Sequence, residues 1–148
     1  MKEAIQTLLK SDKMAHAFEY LKQDEAHTID QQIELVQISS FSPFEEKRAI
    51  RFKELLTEAG LDPVMDEVHN VYAHIHGTGN GPTLYVSAHL DTVFPPETPL
   101  PVKREGTKIY APGIGDDTRG LAEILTLARA IKESGLKPVG DIIIGGNV

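Results

Sequence analysis

"TLYVSAHLDTVFP", Thr83–Pro95, decides how the rest of this chain is read. Its first half is nearly continuous in apolar and small residues, the pattern of a central strand covered on both faces. A histidine and an aspartate, His89 and Asp91, stand two apart just past that run. If the strand geometry persists, both side chains point the same way. A histidine can bind a metal through one ring nitrogen while its other N–H goes to a carboxylate that fixes the tautomer. His-x-Asp supplies both parts locally, but a histidine capping a loop beside an aspartate would look the same.

Working outward, "DTRGLAEILTLARAIKESG" (117–135) places Leu121, Ile124, Leu125, Ala128 and Ile131 on one helical face, and Gly135 closes it. "VGDIII" (139–144) reads as another buried strand. Strand, helix and strand together predict an α/β fold, a three-layer sandwich with a mixed β-sheet flanked by helices. In open sheets of this kind, sites lie beyond the carboxyl ends of parallel strands, where His89 and Asp91 fall.

Upstream, the first 25 residues are helical in pattern, with a break or restart at Ser11–Lys13. Thr28 and Gln31 make a capping-box pattern. Ser42, Pro43 and Glu45 form another start signal, for a helix ended by Gly60. "DPVMDEV" (62–68) and "VYAHIHG" (71–77) are short strands, and "KIYAPG" (108–113) is a further short one. His74 and His76 share one face of their strand; a solvated face is preferred to a metal site there.

The second cluster with chemistry is "APGIGDDTRG", Ala111–Gly120. Acidic residues favour helix N-termini through capping and the macrodipole, which explains one aspartate. Two in succession, Asp116 and Asp117, among glycines that allow tight backbone turns, ask for more. Imidazole plus carboxylates suits Zn²⁺, and carboxylates can bridge two ions.

The totals bound the alternatives. One domain suits 148 residues, and 41% hydrophobic composition fills a core. A net charge of −7 with no basic run argues against nucleic acid. With no cysteines there are no disulfides or thiolate metal sites, which fits a cytoplasmic location. "MKEAIQTLLKSDKM" lacks the pattern of a signal peptide, and no apolar stretch approaches the ~18 residues of a membrane span.

"SAHLDTVFP" and "APGIGDDTRGLAEILTLARAI" resemble the co-catalytic zinc metallopeptidases that include peptidase T, glutamate carboxypeptidase and acetylornithine deacetylase. "SSFSPFEEKRAIRFKELLTEAGL" is similar to that family's early helix, and "DEVHNVYAHIHG" to its following strands. The resemblance implies that His89 binds one zinc ion, that Asp91 orients and polarises its imidazole, and that Asp116 bridges two zinc ions. Asp117 would follow across the cis peptide bond common in the family. Thr118 and then Arg119 stand where relatives commonly have a lysine.

The family also needs a Glu-Glu pair after the last strand, a further carboxylate and a late histidine. Residues 1–148 are therefore expected to be the N-terminal part of a catalytic domain, without its lid and dimerisation domain and without the rest of the catalytic domain. The parent would hydrolyse short peptides or N-acyl amino acids, aminopeptidase first, with deacylase or carboxypeptidase next. The isolated chain is expected to be inactive, largely free of zinc and prone to self-association. The competing expectation is a stand-alone, non-catalytic binding or regulatory module with the same fold.

Overall fold

The computed structural model describes residues 2–148, with the side chain of Ala4 excluded. Helices α1 (Lys2–Leu9), α2 (Asp12–Gln23), α3 (Glu25–Val36) and α4 (Glu46–Glu58) come first. Strands β1 (Val64–Met65), β2 (Val71–Ile75) and β3 (Leu84–His89) follow, then a hairpin of β4 (Lys103–Glu105) and β5 (Lys108–Tyr110). Helix α5 (Thr118–Ser134) and strand β6 (Ile142–Asn147) complete the order.

The main sheet runs β1-β2-β6-β3. β6 is antiparallel to β2 and parallel to β3, so the sheet is mixed, as expected. Register follows the side-chain period of two. Val71, Ala73, Val86, Ala88, Ile142 and Ile144 face the helices. There they meet Phe52, Leu55 and Leu56 of α4 and Leu121, Leu125 and Ala128 of α5, all essentially buried.

The opposite face differs from the expectation. Val64, Tyr72, His74, Tyr85 and Ile143 lie on it, and no helix covers it among the described residues. The mixed sheet flanked by helices is present with one helical layer of the anticipated three-layer sandwich. β3 is an edge strand here, and Leu84 and Tyr85 are 56% and 49% exposed. A run of apolar letters does not distinguish a strand buried on both faces from one whose second face is open.

Two helix starts also differ. α3 begins at Glu25, so Thr28 and Gln31 are interior and buried. They serve a polar network instead. The Thr28 hydroxyl donates to the Asp24 carbonyl, and Gln31 Oε1 accepts from Arg129 Nη1 at 2.7 Å. α4 begins at Glu46, after a cis Ser42–Pro43 bond, and has no side-chain cap. Other local signals act as read. Ser11 caps α2 by accepting from the Met14 amide, Asp117 caps α5 by accepting from the Gly120 amide, and Gly135 ends α5 in the left-handed conformation.

Candidate metal centre

β3 delivers His89 to the carboxyl end of the sheet, opposite Asn147 of β6. The chain then leaves through Leu90 and Asp91, and that exit is fixed from beneath. The Leu90 amide donates to the Asn147 carbonyl at 2.7 Å. The Leu90 carbonyl accepts from Ser40 Oγ at 2.7 Å and from Arg48 Nη1 at 2.8 Å. Arg48 also donates to the Ile38 carbonyl at 2.6 Å. Arg48 is 1% exposed, and burial lowers its pKa to about 10 while the charge of Asp91 pulls it upward. Buried carbonyls with charge-assisted donors make a stiff support.

The second cluster arrives from the loop before α5. The Thr118 hydroxyl donates to the carbonyls of Gly113 and Ile114, and Gln32 Nε2 donates to Ile114. Gly113 has a φ of 80°, a left-handed conformation that glycine adopts without cost. The Asp116–Asp117 peptide is cis. The two carboxylates then part. Asp117 turns inward, where it caps α5 and accepts from the His89 amide at 3.2 Å. Asp116 turns outward, its side chain 91% exposed, toward the histidine.

His89, Asp91 and Asp116 therefore meet. His89 Nδ1 lies 3.0 Å from the Asp91 carbonyl and 3.2 Å from Asp91 Oδ1, and Nε2 lies 2.8 Å from Asp116 Oδ1. Burial pulls the His89 pKa down. The hydrogen bond to Asp116, the Asp91 carbonyl and the charges of Asp91 and Asp117 outweigh it, so the net shift is upward. In the imidazolium, Nδ1 donates to Asp91 and Nε2 to Asp116. The shared proton marks a place where positive charge is favoured.

The donor set fits a borderline divalent cation. Loss of that proton exposes a lone pair on His89 Nε2 beside a carboxylate oxygen, while Asp91 keeps Nδ1 as the donor. A cavity of about 340 Å³ opens there, lined by Thr92, Val93, Phe94, Ala111, Gly113 and Ile114 beside the three site residues and Gly115. No glutamate is among its lining residues.

Sequence reasoning singled out His89, Asp91, Asp116 and Asp117 but not Arg48, Ser40 or Gln32. Nothing marks these three locally, since each acts on a carbonyl 42 to 82 residues away. His74 and His76 are exposed, as expected, with ring centroids 4.9 Å apart. They lie toward the other end of the sheet, where Ile75 pairs with Ile142.

Residues 85–147 match the model of "Peptidase family M20/M25/M40". Carboxypeptidase G2 of Pseudomonas sp. (strain RS-16) is 38% identical over 77 residues, 51% of this chain and 18% of that protein. A tripeptidase from Staphylococcus aureus superposes with a TM-score of 0.67 at 30% identity, covering 82% of this chain and 35% of that one. A Bacillus subtilis protein described as a dinuclear metal binding peptidase from the M20 family shares the fold at 15% identity, with a TM-score of 0.62 over 84% of this chain and 35% of that one. The chain spans between 18% and 34% of the length of the curated relatives it matches.

Proposed function

From a chain whose residues 85–147 carry the pattern of the M20/M25/M40 peptidases, we propose that it forms one part of the catalytic domain of a metal-dependent peptidase. His89 and Asp116 are the metal ligands it contributes, and Asp91 is the group that orients His89. The observation that carries this reading is the contact of His89 Nε2 with Asp116 Oδ1 at 2.8 Å, with Nδ1 held on its far side by Asp91.

Bound divalent cations, zinc in this reading, supply Lewis-acid polarisation of a scissile carbonyl and of water. The chain's own residues do the rest of what can be assigned to them. Asp91 accepts from Nδ1–H and so fixes the tautomer that leaves Nε2 able to bind. Asp116 is exposed and among the described residues meets no donor other than His89, so it has a second oxygen available for a neighbouring ion. Asp117 braces the His89 backbone from within. Phe94, Val93 and Ile114 give the cavity an apolar wall that can hold a peptide side chain.

The cavity lining holds no glutamate to serve as general base. Two metal ligands are also fewer than the three or four that zinc sites use. The remaining ligands and the base of this centre come from the rest of the enzyme, and the 148-residue chain by itself is inactive and holds zinc only weakly at His89 and Asp116. The substrates are short peptides, with an aminopeptidase specificity first and N-acyl amino acids next.

The test is hydrolysis of di- and tripeptides and of N-acyl amino acids by the enzyme that carries this segment. Amino acid release should vanish on chelation, return with Zn²⁺, and be lost in His89→Ala and Asp116→Ala. Turnover unchanged by both substitutions would overturn the assignment.

A further inference from the structure

At the far end of the sheet, a second group of metal-ligating side chains comes together. His74 is on β2, His76 follows one residue after the strand, and Asp141 immediately precedes β6. One ligand atom from each lies within 4.8 Å of the other two. The His89 group sits where β3 and β6 end, and this one sits where β6 begins, so the strand length separates them.

Three features make this more than two surface histidines. First, alternation along an extended chain turns His74 and His76 to one side, and their rings meet edge to face at an interplanar angle of 86°. Second, Asp141 is half-buried and held in place. Its Oδ1 accepts from the Gly77 amide at 2.7 Å, and its carbonyl accepts from the Leu84 amide at 2.9 Å. Oδ2 takes no hydrogen bond among the described residues. Third, the two segments that carry the ligands are fastened together. The amides of Thr78 and Gly79 donate to the carbonyls of Pro138 and Val139, each at 2.9 Å. The backbones approach so closely that a Cβ on Gly77 would fall 2.5 Å from the Gly140 carbonyl carbon.

We infer that His74, His76 and Asp141 form a second metal site, for a borderline divalent cation of the Zn²⁺ class. Two imidazoles and one carboxylate are a recognised three-ligand set for zinc, with water completing the tetrahedron. Metal–ligand bonds of about 2.0–2.1 Å put tetrahedral ligand atoms roughly 3.4 Å apart. The present spacing therefore closes by rotation of two exposed imidazoles onto a fixed carboxylate. A bound ion ties the end of β2 to the segment entering β6 and raises the resistance of that sheet end to unfolding. The site is independent of the catalytic reading, because it shares no residue with it.

The test uses the 148-residue chain with Asp116→Ala, which removes the first site, titrated with Zn²⁺ against a chromophoric chelator. One equivalent should bind, and the thermal midpoint should rise with it. Adding His76→Ala, His74→Ala or Asp141→Asn should weaken binding by roughly tenfold or more. A second measurement needs no substitution: in the wild-type chain, substoichiometric Cu²⁺ should broaden the imidazole NMR signals of His74 and His76 before those of His16, His27 and His69. Zinc affinity unchanged by His76→Ala, or equal broadening of all these histidines, would overturn the proposal.

Discussion

Arg48 Nη1 donates to the Leu90 carbonyl at 2.8 Å, which puts a buried guanidinium beneath the peptide between His89 and Asp91. The same side chain satisfies Ile38. Arg48→Met leaves the Ile38 carbonyl without this donor and should cost about 2–3 kcal/mol in urea unfolding. Arg48→Lys keeps the charge but cannot fork to both carbonyls, so it should recover only part of that loss. In the metal-dependent peptidase proposed above, both variants should lower activity through a displaced His89.

Asp24 holds the helical layer together. Its Oδ2 accepts from Arg129 Nε at 3.0 Å, Arg129 Nη2 at 2.5 Å and Thr126 Oγ1 at 2.7 Å, all buried. Burial raises its pKa, but the hydrogen bonds from Arg129 and Thr126 and the charge of Arg129 lower it further, so the net direction is down. A depressed carboxyl stabilises the fold above its unfolded pKa of about 3.9, and that contribution fades as pH falls through the folded value. Asp24→Asn should therefore cost roughly 3 kcal/mol at pH 7. The difference from wild type should shrink below about pH 4 in acid-unfolding curves.

The three site residues should separate by role in steady-state kinetics of the enzyme that contains this segment. In the proposed assignment Asp116→Ala removes a metal ligand, and it should abolish turnover. Asp91→Ala leaves the ligands in place but loosens the His89 ring, so metal affinity should fall by about 10–100-fold. Excess Zn²⁺ should then restore Asp91→Ala more than Asp116→Ala.

The bare face of the sheet should make the isolated chain associate. On that face Val64 and Tyr85 are 62% and 49% exposed, and β3 presents an unpaired edge. Edges and apolar patches of this kind favour pairing between copies. Light scattering should show species above monomer mass at tens of micromolar, and Tyr85→Lys should shift them toward monomer. A monodisperse monomer before substitution would refute this.

Much of this site was legible because its signals are local. Asp117 reads as a cap, Gly135 as a helix stop, and His89 with Asp91 as a strand-end pair, since each acts within a few residues. What was not legible depends on distance along the chain. The buried Arg48 looks like any helix-surface arginine until Leu90 folds over it. Thr28 and Gln31 imitate a cap until Arg129, about a hundred residues on, turns them into a buried network. His74 and His76 gain a carboxylate only because β6 brings Asp141 alongside. Apolar letters in β3 report strand without reporting how many of its faces are covered.

The strand order also bears on how this chain comes to be folded. β2 and β3 share no ladder; each pairs with β6 instead, which lies about 60 residues after β3 in the chain. During synthesis the β1–β2 pair and β3 therefore have no sheet to join until residues 142–147 leave the ribosome. The helices of the first third wait equally for α5. Contacts that span such long loops are slow to close, so the pairing of β2 and β3 with β6 is expected to be a late step, and it still leaves the outer edge of β3 open to other chains.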